Sequence, residues 1–290
     1  MNGVINFLKP PGMSSNGAVV YLRGITGAKT GHAGTLDPGA CGVLPICVGR
    51  ATKISSYLMG GAKEYIAEIS FGLSTDTGDS YGQITEISDK APPCAEDVKQ
   101  ALESFCGRTV QRTPAYSAVK HQGRKLYSLA REGADIPEKL RDIVIHKAQY
   151  LSSIRQNAHL VRVVCGKGTY IRTLCEDIGK LLGLPAFMSF LIRTMCAGLS
   201  IEGAYTADEL KEPAALEKAV LPADMFLSDM PRLTVSDRRR TPLVNGASIE
   251  HDGKDESEAR VYADSEFLGI GCLKDNRLRI TTLLTDGADI

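Results

Sequence analysis

The chain has 290 residues, 43% of them hydrophobic, with 34 basic and 34 acidic side chains and a net charge of zero. That length and hydrophobic share allow one large domain and a small one, each with a core, and exclude a disordered chain. No apolar run reaches the roughly 18–20 residues of a membrane helix, and the opening MNGVINFLKPPG lacks a basic n-region and a long h-region, so a cytoplasmic location is expected.

Residues 2–8 read as a short strand running into the Lys9-Pro10-Pro11-Gly12 turn. Ser14, Ser15 or Asn16 is placed to cap a helix through Val19, Val20 and Leu22, ending near Gly24 or Gly27. Another helix is expected near Thr52–Leu58. Lys63–Gly72 alternates Tyr65, Ala67, Ile69 and Phe71 against Ile66, Glu68 and Ser70, the period of a strand with one buried face. The polar turn Ser74–Gly82 then leads to a strand at Gln83–Ile87, which predicts a hairpin. Ala95–Cys106 carries Val98, Ala101, Leu102 and Phe105 on one helical stripe, closed by Gly107. Residues 108–131 read as extended, then helical from Arg124. Asp142–Tyr150 and His159–Cys165 have the β-branched content of strands, Thr169–Leu182 reads as a helix, and Phe187–Arg193 as a strand. Adjacent strands with interspersed helices favour an α+β fold, with a large mixed, mostly antiparallel sheet flanked by helices, over a doubly wound α/β fold. The acidic stretch 201–230 predicts a helical connector, and short strands recur from Arg232 onward, with turns at Asp252-Gly253 and Asp275-Asn276.

A balanced charge argues against nucleic acid as a partner, but its distribution argues for it. Residues 108–131 hold Arg108, Arg112, Lys120, Arg124, Lys125 and Arg131 with no acid, and residues 1–60 hold five cations against Asp37 alone. The eight cysteines form no C-x-x-C pair, so neither a zinc site nor a disulfide framework is expected, and reduced, mostly buried thiols fit best. GITGAKT (Gly24–Thr30) fails the spacing of a phosphate-binding P-loop. The run Gly31–Pro45, GHAGTLDPGACGVLP, holds a single carboxylate, Asp37, among four glycines. Pro38 disfavours helical geometry at the aspartate. A lone acid in a pinned, otherwise apolar loop suits a reactive group; Asp-Pro and Pro-Gly also suit an ordinary surface turn.

That run, continuing as ICVGRATK to Lys53, closely resembles the motif around the catalytic aspartate of the TruB family of tRNA pseudouridine synthases. FLKPPGMSS (Phe7–Ser15), PAYSAVKHQGRKLY (Pro114–Tyr127) and KGTYIRTLCEDIG (Lys167–Gly179) agree with it in order. The resemblance implies the pseudouridine synthase fold over residues 1–228 and a small β-rich, PUA-like RNA-binding domain over 229–290. It also implies an enzyme that isomerises uridine to pseudouridine at position 55 in the T-loop of tRNA, acting as a monomer with no obligatory protein partner. The family pattern often has Thr where Ala33 and Cys41 stand here.

The reaction breaks the N1–C1′ bond, turns the uracil and rejoins it through C5, so no cofactor is expected. One ionised carboxylate beside the ribose serves, either adding to C1′ or removing the C2′ proton. The resemblance assigns that role to Asp37, the part of its buried cation to Arg172, and a place against the flipped base to Tyr65, with Tyr170 packing nearby. His32 is implied as the filler of the gap left by the extruded base. Lys120, Arg124 and Lys125, at the turn Gly123 permits, are expected to contact phosphates, and Lys9 to extend that groove. A glycoside hydrolase is disfavoured because Asp76, Asp79 and Asp177 form no obvious carboxylate pair with Asp37 in the sequence.

Overall fold

The structure is a computed structural model and describes residues 1–117, 119–132, 134 and 139–285. The first half contains β1 (Gly3–Lys9), α1 (Ser15–Thr26), β2 (Thr30–His32), β3 (Cys41–Val48), α2 (Ser55–Gly60), β4 (Lys63–Phe71), β5 (Leu73–Thr75), β6 (Ile84–Ile87), α3 (Ala95–Ser104) and β7 (Gly107–Arg112). There follow β8 (Lys120–His121), β9 (Arg124–Lys125), α4 (Leu126–Arg131), β10 (Leu140–Arg155), β11 (Ala158–Cys165), α5 (Ile171–Leu181), β12 (Ala186–Cys196) and β13 (Leu199–Ser200). The last part holds α6 (Pro213–Ala219), β14 (Val220–Leu221), β15 (Arg232–Val235), α7 (Arg240–Val244), β16 (Ile249–Glu250), β17 (Glu256–Ala263), β18 (Glu266–Lys274) and β19 (Arg277–Leu283).

Local chemistry explains the boundaries. Ser14 caps α1 by accepting the Gly17 N–H at 2.9 Å, and Gly27, at φ 62°, ends the helix in the left-handed conformation. In β4, Lys63, Tyr65, Ala67 and Ile69 are buried and Glu64, Ile66 and Glu68 half-buried, as a period of two requires. The order of the main sheet is β14-β1-β3-β12-β4-β11-β10-β7, with β2 added beside β3 and β13 beside β12. Every pairing in it is antiparallel except that of β3 with β12. Helices α1, α3 and α5 cover one face, burying Val19, Leu22, Val98, Leu102, Leu174 and Ile178 against the strands. The fold is thus the α+β arrangement expected.

Three expectations change. The hairpin does not join Lys63–Phe71 to Ile84–Ile87: Gly72, at φ 99°, turns the chain, and β6 pairs with β5 in a separate two-stranded sheet. Its place beside β4 goes to β11 and β12. The stretch 201–230 is mostly short 3₁₀ turns, with α6 its one α-helix among the described residues. Only half of the cysteines (47, 165, 175 and 196) are buried; Cys94 and Cys106 are exposed.

The C-terminal sheet has the order β15-β17-β18-β19-β16, closed at Asp275 and Asn276 by a tight turn with both φ positive (51° and 57°). It is not hung on a loose tether. Ile270 and Leu284 pack in one apolar cluster with Leu227 and with Val4, Cys47, Ile54 and Leu58 of the larger unit. Lys53 Nζ also donates to Leu283 O at 3.1 Å, and Tyr57 Oη to Glu258 Oε1 at 2.6 Å.

Candidate active site

Asp37 sits in the loop between β2 and β3, and that loop is held almost entirely by its backbone. Ser15 Oγ accepts the Leu36 N–H and donates to Leu36 O, both at 2.8 Å. The Gly12 N–H donates to Pro38 O at 2.9 Å, and the Ala40 N–H closes a turn on Asp37 O at 3.1 Å. Two fully buried cations grip the rest. Lys9 Nζ donates to Met13 O at 2.6 Å, Pro10 O at 2.9 Å and Pro38 O at 3.2 Å. Arg193 on β12 donates from Nε to Val43 O at 2.7 Å, from Nη2 to Gly34 O at 3.1 Å and from Nη1 to Thr35 O at 3.4 Å. Neither makes an ion pair among the described residues. Carbonyl oxygens carry partial negative charge, and here they replace a counter-ion.

The parallel seam between β3 and β12 brings Arg193 under the loop, and glycine makes the seam possible. Gly42 pairs with Arg193 at φ 109°, and a Cβ there would lie 2.2 Å from the Arg193 carbonyl oxygen. Burial lowers the Lys9 ammonium from 10.5 to about 8, against the opposing pull of Cys41 and Asp37.

Arg172, the second residue of α5, is 4% exposed and points across to this loop. Its Nε donates to Asp37 Oδ2 at 2.9 Å, and Nη2 approaches Oδ1 at 3.4 Å, a two-pronged hold on the carboxylate. The same guanidinium donates to Thr77 O at 2.8 Å and Tyr116 O at 2.9 Å. The Asp37 side chain stays 33% exposed. The acid is therefore aimed by a buried cation and still open to a cleft. Asp79 also lines that cleft, its Oδ2 3.9 Å from Arg172 Nε. Its Oδ1 accepts from Thr77 Oγ1 at 2.7 Å and from the Tyr81 N–H at 3.0 Å. So engaged, Asp79 braces the loop rather than offering a free acid.

The other sequence candidates fall in different places. Tyr65 lies on β4 opposite Arg193, 6% exposed, and burial pushes its hydroxyl up to about 12 while Arg193 pulls the other way. His32 is half-buried on β2, directly before the Asp37 loop. Tyr170 precedes α5, where the Gln111 side chain accepts its N–H at 2.8 Å and donates to its carbonyl at 3.0 Å. The Arg141 guanidinium stands 5.5 Å from the Tyr170 ring centre. Lys9 corrects the expectation that it extends a phosphate groove, because its ammonium is wholly inside the protein and committed to three carbonyls. Arg124 is exposed but pairs with Glu132. The backbone of Lys120 and Lys125 forms the short β8–β9 hairpin; their side chains lie outside the described residues.

Sequence reasoning missed Arg193, Ser15 and Asp79. Arg193 had a signal: a lone cation in the apolar strand AFMSFLIRTMC. Asp79 had none, since TDTGDSYG reads as a polar turn. Among the described residues no group of three or more His, Cys, Asp or Glu is arranged to hold a metal ion, and no helix is long and apolar enough to cross a membrane.

Known proteins share both the sequence pattern and the fold of this chain. Residues 23–171 match the family model described as TruB family pseudouridylate synthase (N terminal domain), and residues 172–228 match the tRNA pseudouridylate synthase B C-terminal domain. The tRNA pseudouridine synthase B of Alkaliphilus oremlandii is 39% identical over 283 residues, covering 95% of this chain and 94% of that protein. That of Caldanaerobacter subterraneus is 40% identical, covering 96% and 98%. Among solved structures, a chain of a Cbf5–Nop10–Gar1 complex superposes with a TM-score of 0.68 at 26% identity, over 97% of this chain and 79% of that one. A chain of an H/ACA RNP bound to a substrate RNA containing 2′-deoxyuridine shares the fold, with a TM-score of 0.72 at 23% identity over 99% and 86%. With one family model spanning half of its length and full-length relatives near 40% identity, the chain belongs to the TruB family of pseudouridylate synthases.

Proposed function

We propose that the protein isomerises uridine to pseudouridine at position 55 in the T-loop of tRNA, with Asp37 as the group that acts on the ribose. The observation that carries this reading is the Asp37 carboxylate, held by the buried Arg172 at 2.9 Å and left one-third exposed in a cleft. A glycosidic bond is broken and remade at such a carboxylate without an external leaving group, so no second acid has to take up and release a proton to water. Two routes use the same oxygen: addition to C1′, as in a retaining glycosidase, or removal of the C2′ proton to give a glycal. In both, Arg172 fixes the direction of the acid through its two-pronged contact.

The substrate comes from the curated relatives, which are named tRNA pseudouridine synthase B. A uridine inside a folded loop is reached only by extrusion, so the target base is flipped into the cleft. Tyr65 then bounds the base from β4, Tyr170 packs beside it from the start of α5, and His32 fills the gap in the loop. Arg124 and the neighbouring Lys120 and Lys125 take phosphates of the T-arm, Arg124 exchanging Glu132 for the backbone of the RNA. Residues 1–228 are the catalytic domain, and 229–290 a PUA-like RNA-binding domain. The enzyme works in the cytoplasm as a monomer, without a cofactor or an obligatory partner.

The test is tritium release from tRNA carrying C5-labelled uridine. Wild type releases label stoichiometrically with position 55, and Asp37→Asn, which keeps the shape and one acceptor for Arg172, releases none. Release by Asp37→Asn at a rate within about tenfold of wild type, roughly 1.4 kcal/mol of barrier, removes Asp37 from the chemistry.

A further inference from the structure

Beside the Asp37–Arg172 pair stands an aromatic side chain with no part in the chemistry above. Tyr81 is 70% exposed. An exposed tyrosine alone means little, but three features set this one apart.

The first is its seat. The ring lies over Gly39, two residues after Asp37: a Cβ at Gly39 would fall 2.0 Å from ring Cε2 and 2.8 Å from Cδ2 and Cζ. Gly39 is not among the glycines with positive φ, so its backbone would accept any residue. What excludes a side chain there is the tyrosine ring. The second is rigidity. The Tyr81 N–H donates to Asp79 Oδ1 at 3.0 Å, and the Gln83 N–H to Asp76 Oδ1 at 2.8 Å. The loop is docked on β12 by the Met188 N–H to Gly78 O at 3.0 Å and by Ser80 Oγ to Ser189 O at 2.8 Å. The third is a companion. Phe190, 44% exposed, follows the irregularity in β12 pairing between Met188 and Phe190, and such bulges re-aim side chains near active sites. Tyr81 and Phe190 line the same cleft as Asp37 and Asp79.

We infer that Tyr81, with Phe190 lining the same cleft, forms a stacking subsite for the nucleobase next to the target uridine. The inference rests on the reading of the protein as an RNA uridine isomerase. Extruding a uridine strips its neighbour of a stacking partner, and a ring fixed at the mouth of the cleft replaces it. Every base has a π-face, so the subsite takes a nucleobase of any identity. Its ring is set in place before RNA arrives, so little ordering is needed on binding.

The experiment uses the full chain and a T-arm stem-loop RNA with 2-aminopurine placed on the 5′ or the 3′ side of the target uridine. Wild type quenches the fluorescence at one of the two positions. Tyr81→Ala loses that quench and raises KM by about 5- to 150-fold, the range for loss of one base–aromatic stack, with the effect falling on KM rather than kcat. Tyr81→Phe and Tyr81→Trp restore both readouts, and Phe190→Ala weakens the quench. Tyr81→Leu keeps Gly39 covered without a π-face and behaves as Tyr81→Ala, so the result stands even if the alanine variant folds poorly. An unchanged KM and quench in Tyr81→Ala and Tyr81→Leu overturns the subsite, as does a Tyr81→Phe as defective as alanine. A changed oligomeric state with unchanged RNA binding also overturns it, assigning the ring to a protein contact. Wild type that releases no tritium from C5-labelled tRNA overturns the functional reading, and the subsite with it; active wild type with silent Tyr81 variants overturns the subsite alone.

Discussion

A single guanidinium does two jobs at the site, and the two separate under mutation. Arg172 aims the carboxylate of Asp37, and it also satisfies the carbonyls of Thr77 and Tyr116. Arg172→Ala leaves those carbonyls and the acid without their donor, which costs about 1–3 kcal/mol for each buried acceptor left unsatisfied. Chemical denaturation should show that loss, and tritium release should fall to background. Asp37→Asn, by contrast, leaves the guanidinium with two carbonyls and a neutral acceptor, so its midpoint of unfolding should stay close to wild type. An Arg172→Ala protein of normal stability and normal turnover contradicts the assignment. The Asp37–Arg172 contact was legible only through the resemblance of their two motifs to a family, since by themselves an Asp-Pro-Gly turn and a helix arginine read as ordinary. Asp79 was not. Its role depends on where Arg172 folds to, and no local pattern in TDTGDSYG announces that.

At the scale of the loop, the anchoring cations were the part sequence reasoning misplaced. Lysine is ordinarily a surface residue, and a surface reading of Lys9 led to a phosphate groove. Its burial is set by carbonyls at positions 10, 13 and 38, which only the folded loop brings together. That burial carries a pH signature. A lysine lowered from 10.5 to about 8 binds its proton less tightly folded than unfolded. The cost of burying the charge is full below about pH 8, shrinks as pH rises toward 10.5, and is gone above it. The stability of wild type relative to Lys9→Met should therefore improve between pH 7.5 and 10, measured by urea unfolding at each pH. Tyr65 works in the opposite sense: raised to about 12, it stabilises below its ordinary value of 10 and loses that contribution as pH climbs toward 12. It is present in both proteins and cancels in the comparison. A gap that stays flat, or moves against wild type, rules out a buried ammonium. Element spans were readable from periodicity and caps, but partners were not. Lys63–Gly72 and Gln83–Ile87 each read as strands, yet nothing in their alternation says that Gly72 turns the chain away between them.

Across the whole molecule, the larger sheet and the C-terminal sheet share an apolar seam. Leu58 from one side and Ile270 from the other are 2% and 1% exposed within one cluster. Leu58→Ala and Ile270→Ala should each cost about 2–5 kcal/mol, as a cavity in a packed core does. Both should move the same transition, followed by circular dichroism and by tyrosine fluorescence. Two separate transitions, each shifted by one variant alone, would mean that the sheets unfold independently. The composition shift at 201–230 marked the approach to this second unit but not its attachment, since Val4, Cys47 and Ile54 look like ordinary residues of the first core.

The parallel seam of β3 and β12 also sets an order of events during synthesis. Arg193 reaches back 150 residues to Val43 and 159 to Gly34. When the Asp37 segment leaves the ribosome, Lys9 and Ser15 are already made, but Arg172 and Arg193 are not. Closure of so long a loop is the slow kind of contact to form. The loop thus stays half-fastened until about two-thirds of the chain has emerged and Arg193 can reach back to it.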